Sequence, residues 1–332
     1  MTAADVPLPP LGPQRYGEVA EAIEAQIGRV IVGQHQLVRQ VLVGLLCEGH
    51  ALLEGVPGLG KTQLLKTLSD AVDLPFSRIQ FTPDLMPADI LGTQVLVDDA
   101  DDRRRFRFQP GPIFAGLVLA DEVNRATPKT QSALLEAMEE RQVTVDSTTY
   151  TLEAPFMVLA TQNPIEHEGT YPLPRSQLDR FLMRVTVGYP GRESEMKILH
   201  SHGDGDVIDS LEAVATAKDV MEMAMTARTV HVAPSLQGYL VDVAETTRRH
   251  PALALGMSPR ATLALQRVAR ARAAASGRVY VVPDDLKALA HPVVAHRLIL
   301  TPEAQLQGVR PSDVLDDVLR HVPVPTGKGD SS

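Results

Sequence analysis

The run Gly55-Val56-Pro57-Gly58-Leu59-Gly60-Lys61-Thr62 constrains the fold more than any other stretch, because it lies between an apolar run at 51–53 and a helical pattern at 63–72. A glycine-rich turn from strand to helix lets backbone N–H groups curl around phosphate, with the positive end of the helix behind them. Lys61 supplies a point charge for the β- and γ-phosphates, and Thr62 a hydroxyl for magnesium. A plain glycine-rich turn would not need all eight positions. The stretch reads as a P-loop and implies a bound nucleoside triphosphate, with Gly55, Pro57, Gly58, Leu59, Gly60, Lys61 and Thr62 as the cradle.

The surrounding pattern agrees. Short apolar runs at 51–53, 78–81, 117–120, 156–161 and 184–187 alternate with helical patterns in the first half, which predicts a parallel sheet covered by helices. Beyond about residue 190 the strand-like runs nearly stop, and helical stretches at 193–202, 234–248, 259–276 and 283–297 predict a smaller all-α domain. Three of these begin with proline, which suits the first helical position. The expected division is a flexible, Pro-rich arm over 1–14, an α/β nucleotide-binding domain over 15–190, a helical lid over 191–322 and a flexible tail over 323–332. A flexible loop is expected at 203–209.

Two further runs end in polar groups where ligands of parallel sheets bind, at the C-terminal ends of the strands. The run 117–120 leads into Asp121-Glu122. Asp121 is suited to hold magnesium through its water shell, and Glu122 to polarise the water that attacks the γ-phosphate. An apolar run ending in Asp-Glu is more often a strand entering a solvated turn, and the P-loop upstream favours the catalytic reading. The run 156–160 ends in Thr161-Gln162-Asn163-Pro164, and Asn163 either orients water at the γ-phosphate or simply forms an Asn-Pro turn.

With these residues quoted, the chain resembles the AAA+ ATPases, specifically the MoxR family in the clade of magnesium-chelatase and minichromosome-maintenance motors. The stretches that carry the resemblance are Ile31-Val32-Gly33-Gln34, Phe81-Thr82-Pro83-Asp84-Leu85-Met86-Pro87-Ala88-Asp89-Ile90, Asp121-Glu122-Val123-Asn124-Arg125-Ala126, Ala160-Thr161-Gln162-Asn163-Pro164, and Leu173-Pro174 leading to Leu178-Asp179-Arg180-Phe181. The resemblance implies Walker A at 55–62, Walker B at Asp121 and Glu122, and sensor 1 at Asn163. It further implies an arginine finger at Arg180 acting on a neighbouring subunit's ATP, sensor 2 at Arg260 in Ser258-Pro259-Arg260, and Val32 and Gly33 beside the adenine. A helix-2 insert over about 91–108 and a hairpin over about 141–152 follow from the same likeness, both suited to face a central pore. Arg175 departs from the acidic or small residue expected there. Arg125, Arg175 and Arg184 each have the plainer reading of a salt-bridge residue. The family implies a chaperone-like ring, six-membered by expectation, acting on a protein client or a partner with a von Willebrand factor A domain.

Composition narrows the alternatives. Lys and Arg total 32 against 41 Asp and Glu, a net charge of −9, which opposes nonspecific attraction to nucleic-acid backbones. A nucleic-acid-stimulated motor remains the second reading, through Arg103, Arg104, Arg105 and Arg107 interleaved with Phe106 and Phe108 after the acidic Asp98, Asp99, Asp101 and Asp102. A nucleotide-gated scaffold with little turnover is the third. The single cysteine, Cys47, excludes an intramolecular disulfide and fits a cytoplasmic protein, and no apolar run reaches membrane-spanning length.

Overall fold

The computed structural model describes residues 11–55, 59–98, 104–163, 170–201 and 211–325. Five strands form the central sheet: β1 (Ala51–Glu54), β2 (Phe76–Gln80), β5 (Leu117–Asp121), β8 (Met157–Gln162) and β9 (Met183–Thr186). Their order is β2-β5-β8-β1-β9, and every pairing is parallel. Each strand of a parallel sheet therefore returns through a crossover. Helices α2 (His35–Leu46), α3 (Lys61–Ala71) and α5 (Pro128–Glu140) supply much of the cover.

The strands are apolar on both faces because both are covered. Leu52, Val118, Ala120, Val158 and Ala160 share one face with Leu134, Leu135 and Met138 of α5 and with Phe81, Phe156 and Phe181. Leu53, Leu117, Leu119, Met157 and Leu159 alternate with them and are equally buried on the other face. Gly44 of α2 belongs to that second layer, since a Cβ there would stand 3.0 Å from the Met157 methyl carbon. His50, buried just before β1, ties the layers together. Its Nδ1 accepts from Val158 N at 2.9 Å, so Nε2 carries the proton donated to Met138 O at 3.0 Å.

Two hairpins interrupt the α/β pattern. The first, β3 (Gly92–Asp98) with β4 (Arg104–Pro110), follows the short α4 (Pro87–Leu91), and the second pairs β6 (Gln142–Val145) with β7 (Thr148–Thr151). They occupy the stretches expected as inserts at 91–108 and 141–152. The acidic segment expected at the first hairpin's turn lies largely outside the described residues. Phe108 stacks on Tyr150 with centroids 3.9 Å apart, and Gln94 Nε2 donates to the Tyr150 hydroxyl at 3.3 Å. The cross-strand partners Leu96 and Phe106 are exposed beside that stack.

The chain divides into two compact units. One runs Val19–Met221; the other combines the segment before Val19 with everything from Glu222 on. This division falls later than residue 190, because Val214 N and Ala215 N both donate to Ala71 O at the end of α3. Residues 11–14 also differ from the expected flexible arm. Leu11 is buried and its carbonyl accepts from Thr226 Oγ1 at 3.0 Å, while Pro13 begins α1 (Pro13–Val30). The loop expected at 203–209 and most of the expected tail lie outside the described residues.

The second unit is mainly helical, as expected. After α6 (Arg175–Leu178) and α7 (Arg192–Ser201) come α8 (Ala217–Thr229), α9 (Pro234–Arg249), α10 (Pro259–Ala275), α11 (Pro283–Val294), α12 (Pro302–Leu306) and α13 (Pro311–His321), with a small β10–β11 ladder of Leu253–Leu255 and Ile299–Leu300. Buried Asp285 accepts from Arg278 at 2.7 and 2.8 Å, and this bonding holds the Arg278 guanidinium above its ordinary pKa. No helix among the described residues is long and apolar enough to cross a membrane.

Leu52 lies on β1, between β8 and β9, with 1% exposure, so Leu52→Ala removes its contacts and leaves a void. The expected loss is about 2–5 kcal/mol, read as a lower urea midpoint at unchanged slope.

Candidate nucleotide site

The C-terminal ends of β1, β5 and β8 lie side by side, because β8 pairs with both of the others. The loop after β1 therefore opens beside the residues that close β5 and β8. Gly55 follows β1 against the chain after β9, where a Cβ would come 2.7 Å from Val187 O. Gly60 adopts φ 73° as the N-cap of α3, a left-handed conformation suited to glycine, and frees the next residues to begin the helix. Lys61 and Thr62 form the first turn of α3. Val56, Pro57 and Gly58 lie outside the described residues, so the expected contributions of Pro57 and Gly58 rest on the sequence.

Lys61 Nζ donates to Gly55 O at 2.7 Å. Burial pushes its ammonium below the ordinary lysine range, while the charges of Asp121 and Glu122 pull it back up. The lysine and both acids thus share one electrostatic neighbourhood.

Asp121 is the last residue of β5, and both of its carboxylate oxygens are engaged. Thr161 Oγ1 donates to Oδ1 at 2.6 Å and Arg78 Nη2 to Oδ2 at 2.6 Å. The Thr161 hydroxyl in turn accepts from Glu122 N at 2.9 Å. Glu122 sits at φ 58°, ψ 49°, a left-handed conformation that a side chain with a Cβ adopts at a cost of about 1–3 kcal/mol. Its Oε2 accepts from Gln80 Nε2 and pairs with Arg125 Nε, both at 3.0 Å. The conformation turns the chain sharply out of the sheet and fixes the carboxylate beside Asp121.

Asn163 follows β8 and is 6% exposed, so the strand order brings it to the same sheet edge as the acids. Arg180 pairs with Glu139 of α5 at 3.1 Å and remains 32% exposed. Arg175 is exposed in α6, and Arg184 is ion-paired with Glu54. Val32 and Gly33 form the turn between α1 and α2. Gly33 has φ 78°, and a Cβ there would stand 2.0 Å from Ser194 Oγ, so this position requires glycine twice over. Arg260 is exposed in the first turn of α10 and belongs to the other unit.

Arg78, Gln80 and Thr161 carry no role in the sequence reading, yet they form most of the bonds that position the acids. The available signal is the alternation on β2: Arg78 and Gln80, two residues apart, share a face, and Gln80 is in register with Asp121.

An oxygen-only donor set of a threonine hydroxyl and a carboxylate fits a hard divalent cation. No group of three or more His, Cys, Asp or Glu able to hold a metal occurs among the described residues. One carboxylate with one hydroxyl suits an ion that keeps several waters and takes phosphate oxygens, as magnesium does.

Comparison with known proteins matches this architecture throughout. The ATPase family associated with various cellular activities (AAA) matches residues 50–183, and the AAA lid domain matches residues 245–318. The chain is 42% identical over 329 residues to Chaperone MoxR1 of Mycobacterium tuberculosis, covering 96% of this chain and 86% of that protein. This chain belongs to the MoxR family of AAA+ ATPases. Protein MoxR of Paracoccus denitrificans is 31% identical, covering 91% of this chain and 95% of its own length. A crystal structure of a protein assigned as an ATPase from Cytophaga hutchinsonii superposes with a TM-score of 0.88 at 39% identity, covering 95% of this chain and 97% of that one. An AAA domain with a parallel sheet, followed by a helical AAA lid, is the architecture of this MoxR-family chain.

The Thr161 hydroxyl both donates and accepts in a buried position, so Thr161→Val leaves Glu122 N–H without its acceptor. A loss of about 1–3 kcal/mol is expected in thermal unfolding, with Thr161→Ser retaining most of it.

Proposed function

We propose that this MoxR-family chain hydrolyses ATP with magnesium as a ring of identical subunits, six by expectation, and couples the hydrolysis to remodelling or maturing protein partners. The observation that carries this reading is the half-buried Lys61, just after β1, in the field of Asp121 and Glu122 at the end of β5, one strand removed across β8. In this reading Gly55, Pro57, Gly58, Leu59, Gly60 and Lys61 hold the phosphates, and Val32 and Gly33 flank the adenine. Thr62 and Asp121 hold magnesium, which would neutralise the charge that develops on the phosphate oxygens. Glu122 orients the attacking water and takes its proton, and Asn163 positions that water. Arg260 responds to nucleotide from the lid.

Arg180 acts on the triphosphate of the next subunit. Its partly exposed guanidinium supports this assignment, since a finger has to reach beyond its own protomer. Arg125, paired with Glu122, and Arg184, paired with Glu54, keep the plainer structural role.

For the partner, the name of the Mycobacterium tuberculosis relative, Chaperone MoxR1, supports a protein client. We assign the two hairpins to contact it, and a partner with a von Willebrand factor A domain is the favoured adaptor. The lone thiol Cys47, buried and unbridged, suits a cytoplasmic setting. One observation favours the nucleic-acid reading: Arg104, Arg105 and Arg107 are exposed on β4 beside Phe106, itself 75% exposed. Stimulation of ATP turnover by single-stranded DNA or RNA would move the assignment there.

Lys61→Ala is expected to lose ATP binding in equilibrium titration, whereas Glu122→Gln retains ATP and leaves it uncleaved; rapid phosphate release by Glu122→Gln would remove that residue from the role. Arg180→Ala should bind ATP normally, with turnover lower by about 10³–10⁵ where the finger is the main contributor. In the natural protein, turnover per subunit should rise with protein concentration. Full turnover by dilute, demonstrably monomeric protein would disprove the trans-acting role.

A further inference from the structure

The site contains a cation of its own. Arg78 projects from β2 and donates through one nitrogen, Nη2, to two acceptors: Asp121 Oδ2 at 2.6 Å and Gln80 Oε1 at 2.7 Å. The Gln80 amide nitrogen then donates to Glu122 Oε2 at 3.0 Å. The guanidinium is thus bonded directly to the carboxylate assigned to the metal and, through one amide, linked to the carboxylate assigned to water activation.

Of the two groups holding Asp121, only one can readily give way. Thr161 is 1% exposed, neutral, and fixed from behind by Glu122 N. Arg78 has a side chain 47% exposed, on a long stem that reaches solvent by rotating. A divalent cation near Asp121 would meet the guanidinium as a like charge whether the carboxylate binds it directly or through water.

We propose that Arg78 is a built-in counter-ion that occupies Asp121 before metal arrives and is displaced when magnesium enters with nucleotide. It is a positioning residue. It keeps the carboxylate ordered and partly neutralised in the metal-free site, and it sets the magnesium concentration at which the site fills. Displacing it also removes the partner of Gln80 Oε1, so the amide holding Glu122 loses one of its two anchors as the metal arrives. The inference rests on the nucleotide-binding reading above.

The test is equilibrium binding of ADP by the full-length protein across a magnesium titration, followed calorimetrically, for the natural protein, Arg78→Met, Arg78→Gln and Arg78→Lys. The expected result is a magnesium midpoint about two- to fivefold lower in Arg78→Met and Arg78→Gln, the upper part of the range for removing one partly exposed competing ion pair. Metal-free ADP affinity should be nearly unchanged. Arg78→Lys should stay within about twofold of the natural protein, since one ammonium can donate to both acceptors that Nη2 serves. An unchanged or raised midpoint in both neutral variants, with the natural protein still binding ADP in a magnesium-dependent way, overturns the counter-ion role alone. Absence of ADP binding by the natural protein overturns the nucleotide-binding reading with it.

Discussion

A half-buried ammonium beside two carboxylates, all at the end of a buried sheet, is the arrangement on which the rest of the molecule depends. Burial makes the Lys61 charge costly, and the nearby acids compensate it because the strand order sets β8 beside β1 and β5 next beyond β8, with all three ending on the same side of the sheet. Each large element contributes to that placement. Apolar side chains on both faces of β1, β5 and β8 hold the strands in register, and the register decides that Asp121 and Asn163 reach the same edge as the loop carrying Lys61. The packing that buries the strands is thus also what brings the site residues together.

The carboxylates are further restrained by a network that extends from Thr161 through Asp121, Arg78 and Gln80 to Glu122 and Arg125. Thr161 and Gln80 are neutral, and the arginines compensate the acids. The backbone of Glu122 is held in a conformation that costs energy, and the bond from its N–H to Thr161 helps to offset that cost. Strain and satisfied hydrogen bonding together make the carboxylate position a property of the fold rather than of a flexible side chain.

Much of this was legible from consecutive residues. The glycine-rich stretch at 55–62 and the pair Asp121-Glu122 are each contiguous in the chain, and the apolar runs before them identify β1 and β5. The contributions of Arg78, Gln80 and Thr161 were not, because they depend on which strands become neighbours, a non-local fact that spacing along the chain does not encode. Residues 11–14 differ from the expected arm for another reason: Pro13 opens α1 by the same preference for the first helical position seen in α9, α10 and α11, while residues 1–10 lie outside the described residues. Helix α8 is not among the helices expected from the sequence, although Thr216 Oγ1 accepts from Asp219 N and Asp219 Oδ2 from Thr216 N, a reciprocal cap whose residues stand three apart in the sequence.

The stack of Phe108 on Tyr150 joins two hairpins inserted at separate points of the chain. The second hairpin leads from α5, through buried Leu152, into β8, the strand that Asn163 follows. In the proposed ring, a client pulling on the first hairpin at Phe106 would load this aromatic pair, and through it the hairpin that leads into β8.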